Sequence, residues 1–258
     1  METSISMPIV NLHCAGIDVG SRSHYVAVGQ ELSDVREFGV YAEDLVSLCE
    51  WLKSQGITSV AMESTGTYWQ NLHVELLRSG FEVVLANGKF TKNAKGKKTD
   101  VKDSRWIQKL HALGLLSGSF LPDERTEILR TYCRQRTNWL ESAAESSNKM
   151  QKFLRLLNMR LEVVVSDICG LTGMKIVRDI CAGNVDSASL SEHRHHNCKK
   201  SKEEIAKALV GNGRADYLFG LRQELASYDF FQANIAACDA EIDTFLQAEI
   251  AQDEKKKT

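Results

Sequence analysis

After Pro122 the chain runs to Thr258 without another proline. Within that stretch apolar side chains recur at alternating steps of three and four. Such spacing sets them along one stripe of a helix, and no proline is present to break it. One stripe runs through Leu129, Tyr132, Arg136, Trp139, Ala143, Ser146, Met150, Phe153 and Leu157. A second runs through Leu218, Leu221, Leu225, Tyr228, Gln232, Ile235, Asp239, Ile242 and Leu246. Seven of the nine members are apolar in each, which suits a coiled-coil seam. The C-terminal half therefore reads as a long helical hairpin. Between its arms, Ser201 with Glu204 is a capping-box pattern and Gly211 is placed to stop the helix they open. Nothing in this half announces an enzyme, so chemistry is sought upstream.

The N-terminal half has a different periodicity. Leu12 to Val19, His24 to Val28 and Val35 to Val40 are short β-rich runs joined by turns, as in a meander. Leu45, Leu48, Cys49 and Leu52 then recur at helical spacing, and Gly56 ends that helix. Ile57 to Met62 is strand-like and leads into Glu63. Tyr68 to Ser79 is helical, with Leu72, Leu76 and Leu77 expected on one face, and Phe81 to Ala86 is a fifth strand. The order βββ-α-β-α-β predicts a mixed sheet with helices packed on it, the order of ribonuclease-H-like folds.

Composition excludes several classes. Hydrophobic residues are 43% and charged residues 26%, an ordinary globular balance. No apolar run approaches the ~20 residues of a membrane span, and no basic flank followed by an apolar run opens the chain. A cytoplasmic, nucleoid-associated protein is expected. The seven cysteines include no C-x-x-C pair and read as reduced, mostly buried thiols. A formal net charge of −2 excludes a uniformly basic coat. The charge is instead uneven: residues 88–109 hold eight Lys and Arg against two acids, so the segment carries +6 and the rest −8.

Four acids stand out. Asp18 sits inside the apolar strand Gly16-Ile17-Asp18-Val19-Gly20, where an uncompensated carboxylate is costly and is normally paired or bound to a cation. Glu63 ends the next core strand, which lies beside the first in a sheet of this order, so both acids reach the same end. Asp100 and Asp103, at i and i+3, share a helix face and open a helix running through Trp106, Ile107 and Leu110. Three of the acids have an ordinary structural explanation: a turn or cation partner for Asp18, and the helix dipole for Asp100 and Asp103. Together, beside a basic segment, they suit hard, oxygen-liking Mg²⁺ ions holding a polyanion. Two ions, Mg²⁺ or Mn²⁺ in its place, would clamp the attacking and leaving oxygens of a phosphodiester. Lys92, Lys95, Lys97, Lys98, Lys102 and Arg105 are the candidate nucleic-acid-binding side chains.

Three stretches in this order, Gly16-Ile17-Asp18-Val19-Gly20, Met62-Glu63-Ser64-Thr65-Gly66 and Lys98-Thr99-Asp100-Val101-Lys102-Asp103, resemble the motifs of the DEDD transposases of the insertion-sequence one-ten family. These are relatives of the Piv invertase, regarded as RNA-guided bridge recombinases. The resemblance extends through Leu115-Leu116-Ser117-Gly118-Ser119-Phe120-Leu121-Pro122, Tyr228 to Gln232 and Cys238 to Ile242. It implies a RuvC-like catalytic domain over 11–122 with Asp18, Glu63, Asp100 and Asp103 as catalytic and metal-binding acids. It also implies a coiled-coil domain over 123–250, a basic tail opening a linker at 251–258, and DNA, a guide RNA and a second copy of the chain as partners. Family members carry a further domain with a serine nucleophile after the hairpin. Here the sequence stops at Lys255-Lys256-Lys257-Thr258, and Ser79-Gly80 and Ser117-Gly118, read as helix ends, are poor substitutes. A truncated member, a split partner or the first part of a larger protein is expected, one that does not exchange strands alone. The rival expectation is a non-catalytic nucleic-acid-binding dimer left from such an element.

Two other patterns compete weakly. His193, His195, His196 and Cys198 lie within six residues but lack the second ligand pair of a structural zinc site, so a polar loop is expected. The glycine-flanked Asp18 turn resembles the phosphate loop of actin-like ATPases, whose second Asp-x-Gly is missing.

Overall fold

The computed structural model describes residues 7–64, 66–88 and 99–257. The chain divides into two compact units, Met1–Leu121 and Pro122–Thr258.

The first unit is built on a five-stranded mixed sheet of order β3-β2-β1-β4-β5. Its strands are β1 (Cys14–Val19), β2 (His24–Ala27), β3 (Val35–Phe38), β4 (Ser59–Glu63) and β5 (Glu82–Ala86). β1 to β3 form the antiparallel meander, and β4 and β5 add in parallel beside β1. Helices α1 (Ala42–Ser54) and α2 (Trp69–Arg78) connect them, and α3 (Asp100–Ala112) follows.

Alternation along the strands decides which helix covers which face. Ala15, Ile17 and Val19 of β1, Val60 and Met62 of β4 and Leu85 of β5 point into one core with Leu45, Leu48, Cys49 and Leu52 of α1 and Leu72 and Leu76 of α2. The other face, with Cys14, Gly16, Ser59 and Ala61, is covered by α3. Both turns that close the helices of the first face use left-handed glycines, Gly56 at φ 69° and Gly80 at φ 89°.

Three expectations shift. Leu77 is 52% exposed rather than sharing the buried face of Leu72 and Leu76. It follows Leu76 by one position, about 100° around the helix. β1 begins at Cys14, not Leu12, because Val10 and Asn11 donate their amides to the Ala112 carbonyl and draw the preceding chain toward α3. Ser117-Gly118 does not end a helix: α3 stops at Ala112, and Gly118 bridges to Ala86 along the β5 edge.

The described residues of the second unit form helices joined by turns and loops, without a strand. The unit comprises α4 (Glu124–Leu156), α5 (Leu161–Val164), α6 (Leu171–Ala182), α7 (Ser187–Ser191), α8 (Lys202–Ala208) and α9 (Ala215–Lys257). Asp123 caps α4 by accepting from the Thr126 amide at 2.8 Å. Helices α4 and α9 run antiparallel against one another: Tyr132 meets Phe245, Trp139 meets Phe230 and Phe231, and Arg136 pairs with Asp239. Near the tip, Gly220 faces the Phe153 ring, where a Cβ would collide.

The first stripe is buried or half-buried at all nine expected positions. The second is in phase only as far as Tyr228. Beyond it the inward positions are Phe231, Ile235, Cys238, Ile242 and Phe245, while Gln232, Asp239 and Leu246 are exposed. A three-four alternation begun with the three instead of the four turns two aromatics inward and releases a glutamine and an acid to the surface.

The segment between the arms has its own core. Leu157, Leu161, Ile176, Ile180, Leu190, Ile205 and Leu209 pack on Met150, Leu154, Leu221 and Leu225 of the arms. Ser201 and Glu204 form the reciprocal capping box of α8. That helix ends at Ala208, before Gly211, because Arg160 donates to the Ala208 carbonyl at 2.8 Å and the chain turns away. No described helix is long and apolar enough to cross a membrane. All seven cysteines are free thiols.

Candidate active site

The site is assembled by one close approach. A Cβ on Gly16 would lie 2.1 Å from the Gln108 amide nitrogen and 2.6 Å from the Ser104 carbonyl oxygen. Only a residue without a side chain lets α3 rest directly on β1. The helix runs antiparallel to the strand. Its last turn meets the chain entering β1, where Asn11 Nδ2 donates to the His111 carbonyl at 2.7 Å. Its middle meets Gly16, and its first turn therefore lies at the C-terminal end of β1, where Asp18 is.

A second fastening sets the same direction. His111 and Ser59 are buried and joined Nε2 to Oγ at 2.8 Å, at the opposite end of the sheet from Glu63. Burial pulls the His111 pKa down, with Glu82 opposing more weakly, so this imidazole is neutral at pH 7. Gln108 adds a bond from Nε2 to the Cys14 carbonyl at 3.4 Å.

Register then places the acids. β1 and β4 are parallel, with Gly16 beside Ala61 and Ile17 beside Met62. One step further stand Asp18 and Glu63, on neighbouring strands roughly 4.8 Å apart, on the face that α3 covers. On α3, Ser104, Ile107, Gln108 and His111 are buried against the sheet. One turn back along that stripe come Asp100 and Asp103. Thr99 caps the helix, its side chain accepting from the Lys102 amide. Asp18, Glu63 and Asp103 are half-buried and Asp100 is exposed. Glu63 lies against the backbone leaving β5: a Cβ on Gly88 would come within 2.6 Å of its Oε1.

The four acids thus share one end of the sheet. Their donor set is entirely carboxylate oxygen, which fits a hard divalent cation. They form an open edge: among the described residues no three His, Cys, Asp or Glu side chains are gathered to hold an ion as they stand. Lys102 is exposed on the outer side of α3. Arg105 is half-buried, and its carbonyl accepts from Gln30 Nε2 at 3.0 Å. Lys92, Lys95, Lys97 and Lys98 lie outside the described residues.

The row across the sheet extends further than sequence reasoning carried it. Asp18 pairs directly with Tyr25 on β2, and Tyr25 with Glu37 on β3. Glu37, Tyr25, Asp18 and Glu63 therefore stand side by side on the α3 face of four adjacent strands. Glu37 beside it raises the pKa of the Tyr25 phenol, with desolvation and the Asp100 charge adding to the rise. The Gly20-Ser23 turn is the sequence signal for the Asp18–Tyr25 pairing, whereas Glu37 joins the row only through the register of β3 on β2.

The histidine cluster is engaged elsewhere. His193 Nε2 meets Asp179 Oδ2 at 2.7 Å, and the His195 and His196 rings lie 4.0 Å apart, tilted by 40°. A cavity of about 530 Å³ lies in the second unit, lined among others by Leu171, His195 and Lys199, and none of the four acids borders it.

A sequence model described as a transposase, that of the DEDD transposases of the insertion-sequence one-ten (IS110) group, matches residues 15–159, more than half of the chain. No curated protein matches it.

Proposed function

Because this chain belongs to the IS110 family of DEDD transposases, we propose that its acid edge is the centre at which an insertion element's DNA phosphodiesters are cut or joined. One observation carries the reading: Asp18 and Glu63 stand side by side at one end of the sheet, under a helix whose first turn brings Asp100 and Asp103 to the same end. Those four carboxylates would hold two Mg²⁺ ions, or Mn²⁺ in their place. Such ions supply positive charge to the attacking and leaving oxygens of the displaced phosphate.

The chain's own residues do the rest. Strand pairing and the Gly16 contact fix the acids relative to one another before substrate arrives, so little reorganisation is required. The basic segment at 88–109 steers and neutralises the phosphates. In this reading the first unit is a RuvC-like, ribonuclease-H-like domain. The second is a coiled-coil hairpin that pairs with a second copy and holds a guide RNA. Large apolar side chains exposed on it, Phe219, Phe230 and Ile250, support pairing.

The test is nicking of supercoiled plasmid by the 258-residue chain in Mg²⁺ or Mn²⁺. Weak nicking is expected, abolished by Asp18→Asn and by Asp103→Asn. Nicking of equal strength in both variants would remove the acids from the mechanism.

A further inference from the structure

We propose that Gln30 is a positioning residue of the acid edge, bracing α3 so that Asp100 and Asp103 meet Asp18 and Glu63 in the arrangement a divalent cation requires. The inference rests on the reading above that the edge binds such a cation.

The Gly16 contact brings α3 onto β1 but does not by itself hold it there. Backbone lies on backbone, with no side chain at that point to stop the helix from swinging. A contact of this kind is a pivot. On the β4 side the swing is stopped by the bond between Ser59 and His111, in the last turn of the helix. On the β2 side it is stopped by Gln30, in the turn that leads from β2 to β3. Gln30 Nε2 donates to the Arg105 carbonyl at 3.0 Å and also to Gln108 Oε1. Both targets are acceptors, so the Gln30 amide has one useful orientation. Gln108 receives with its oxygen, which leaves its Nε2 to donate to the Cys14 carbonyl of β1 at 3.4 Å. The bonds thus run from the turn, through the helix, to the central strand.

The turn that carries Gln30 is itself fixed on both sides of that residue. The Val28 amide donates to the Asp34 carbonyl at 3.0 Å, and the Glu31 amide to Asp34 Oδ2 at 2.9 Å. Gly29 sets its bare Cα against the same carboxylate, where a Cβ would lie 2.2 Å from Oδ2. Gln30 is therefore presented from a rigid support although its side chain is exposed. Arg105 follows Asp103 by two positions, about 3 Å of helix rise. A swing of α3 about Gly16 that breaks the Gln30 bonds would carry the first turn, and both its acids, sideways across the sheet. Losing a group that orients metal ligands typically costs roughly 10- to 100-fold in affinity. Gln30 acts on the helix instead of on a ligand directly, so the lower end of that range is expected.

The experiment measures Mn²⁺ affinity of the full chain by electron paramagnetic resonance, well below the unfolding midpoint of each variant. Hydrogen exchange across α3 is followed in the metal-free chain. Gln30→Ala removes both bonds; Gln30→Glu keeps the shape but sets oxygen against two acceptors. Each is expected to weaken Mn²⁺ binding about tenfold and to speed amide exchange in the first turns of α3. The glutamate variant gives the sharper reading. An added negative charge by itself attracts a cation, so displaced acids and simple electrostatics predict opposite signs. Affinity unchanged in Gln30→Ala, or tightened in Gln30→Glu, overturns the inference, as does a contact whose loss lowers only the unfolding midpoint. If Asp103→Asn loses Mn²⁺ while both Gln30 variants retain it, the inference fails and the acid-edge reading stands. If the unaltered chain shows no saturable Mn²⁺ binding, both fail.

Discussion

Gly16 is the residue on which the site turns. Its absent side chain lets α3 lie on β1, and α3 carries two of the four acids. Gly16→Ala would drive a methyl group into three backbone atoms that cannot rotate away. We expect a loss of roughly 1–3 kcal/mol in urea unfolding, together with a drop in nicking larger than that loss explains, because the helix and its acids are displaced. Three histidines of the same unit give a pH signature. Burial lowers the pKa of His24, His73 and His111 below the ordinary 6.5. Each is neutral when folded and protonates more readily when unfolded. Their contribution to stability is therefore complete above pH 6.5 and is lost progressively as pH falls below it. Unfolding midpoints at pH 7.5 and 5.5 should show the fall, and His111→Gln should reduce its steepness. A midpoint that rises on acidification would contradict the assignment.

At the scale of elements, α9 shows what periodicity does and does not specify. Steps of three and four establish a helix with a stripe, but the two alternations differ by one residue at every second contact. Phe231 and Phe245 take the inward places by packing on Trp139 and Tyr132 of α4. Asp239, turned outward, reaches Arg136 across the pair. Phe231→Ala should therefore destabilise the second unit by about 2–3 kcal/mol, less than a fully buried phenylalanine. Gln232→Ala should stay within about 0.5 kcal/mol, both measured by denaturant unfolding. The reverse ranking would restore the expected seam. Both partners of the Arg136–Asp239 pair are more than a third exposed, so Asp239→Asn should change stability by less than about 1 kcal/mol.

For the whole molecule, the uneven charge is the property with the widest consequence. A chain of net −2 that concentrates +6 within residues 88–109 should bind nucleic acid with a strong salt dependence, since each neutralised phosphate releases counterions. Replacing Lys95, Lys97 and Lys98 by Ala should flatten the slope of log affinity against log salt by up to about three units. An unchanged slope would move the nucleic acid elsewhere. Sedimentation should show a dimer at micromolar concentration, and a monomer with intact helices would argue against pairing through the hairpin. The order of elements, the two long helices and the positions of Asp18, Glu63, Asp100 and Asp103 on strand ends and a helix start were legible because local periodicity and short motifs encode them. The phase of α9 was not, since two phases fit one apolar pattern and only the partner helix chooses between them. Nor was the row Glu37, Tyr25, Asp18, Glu63, whose members lie far apart in sequence. Strand register brings them together, and register is a contact between segments, not a property of any one of them.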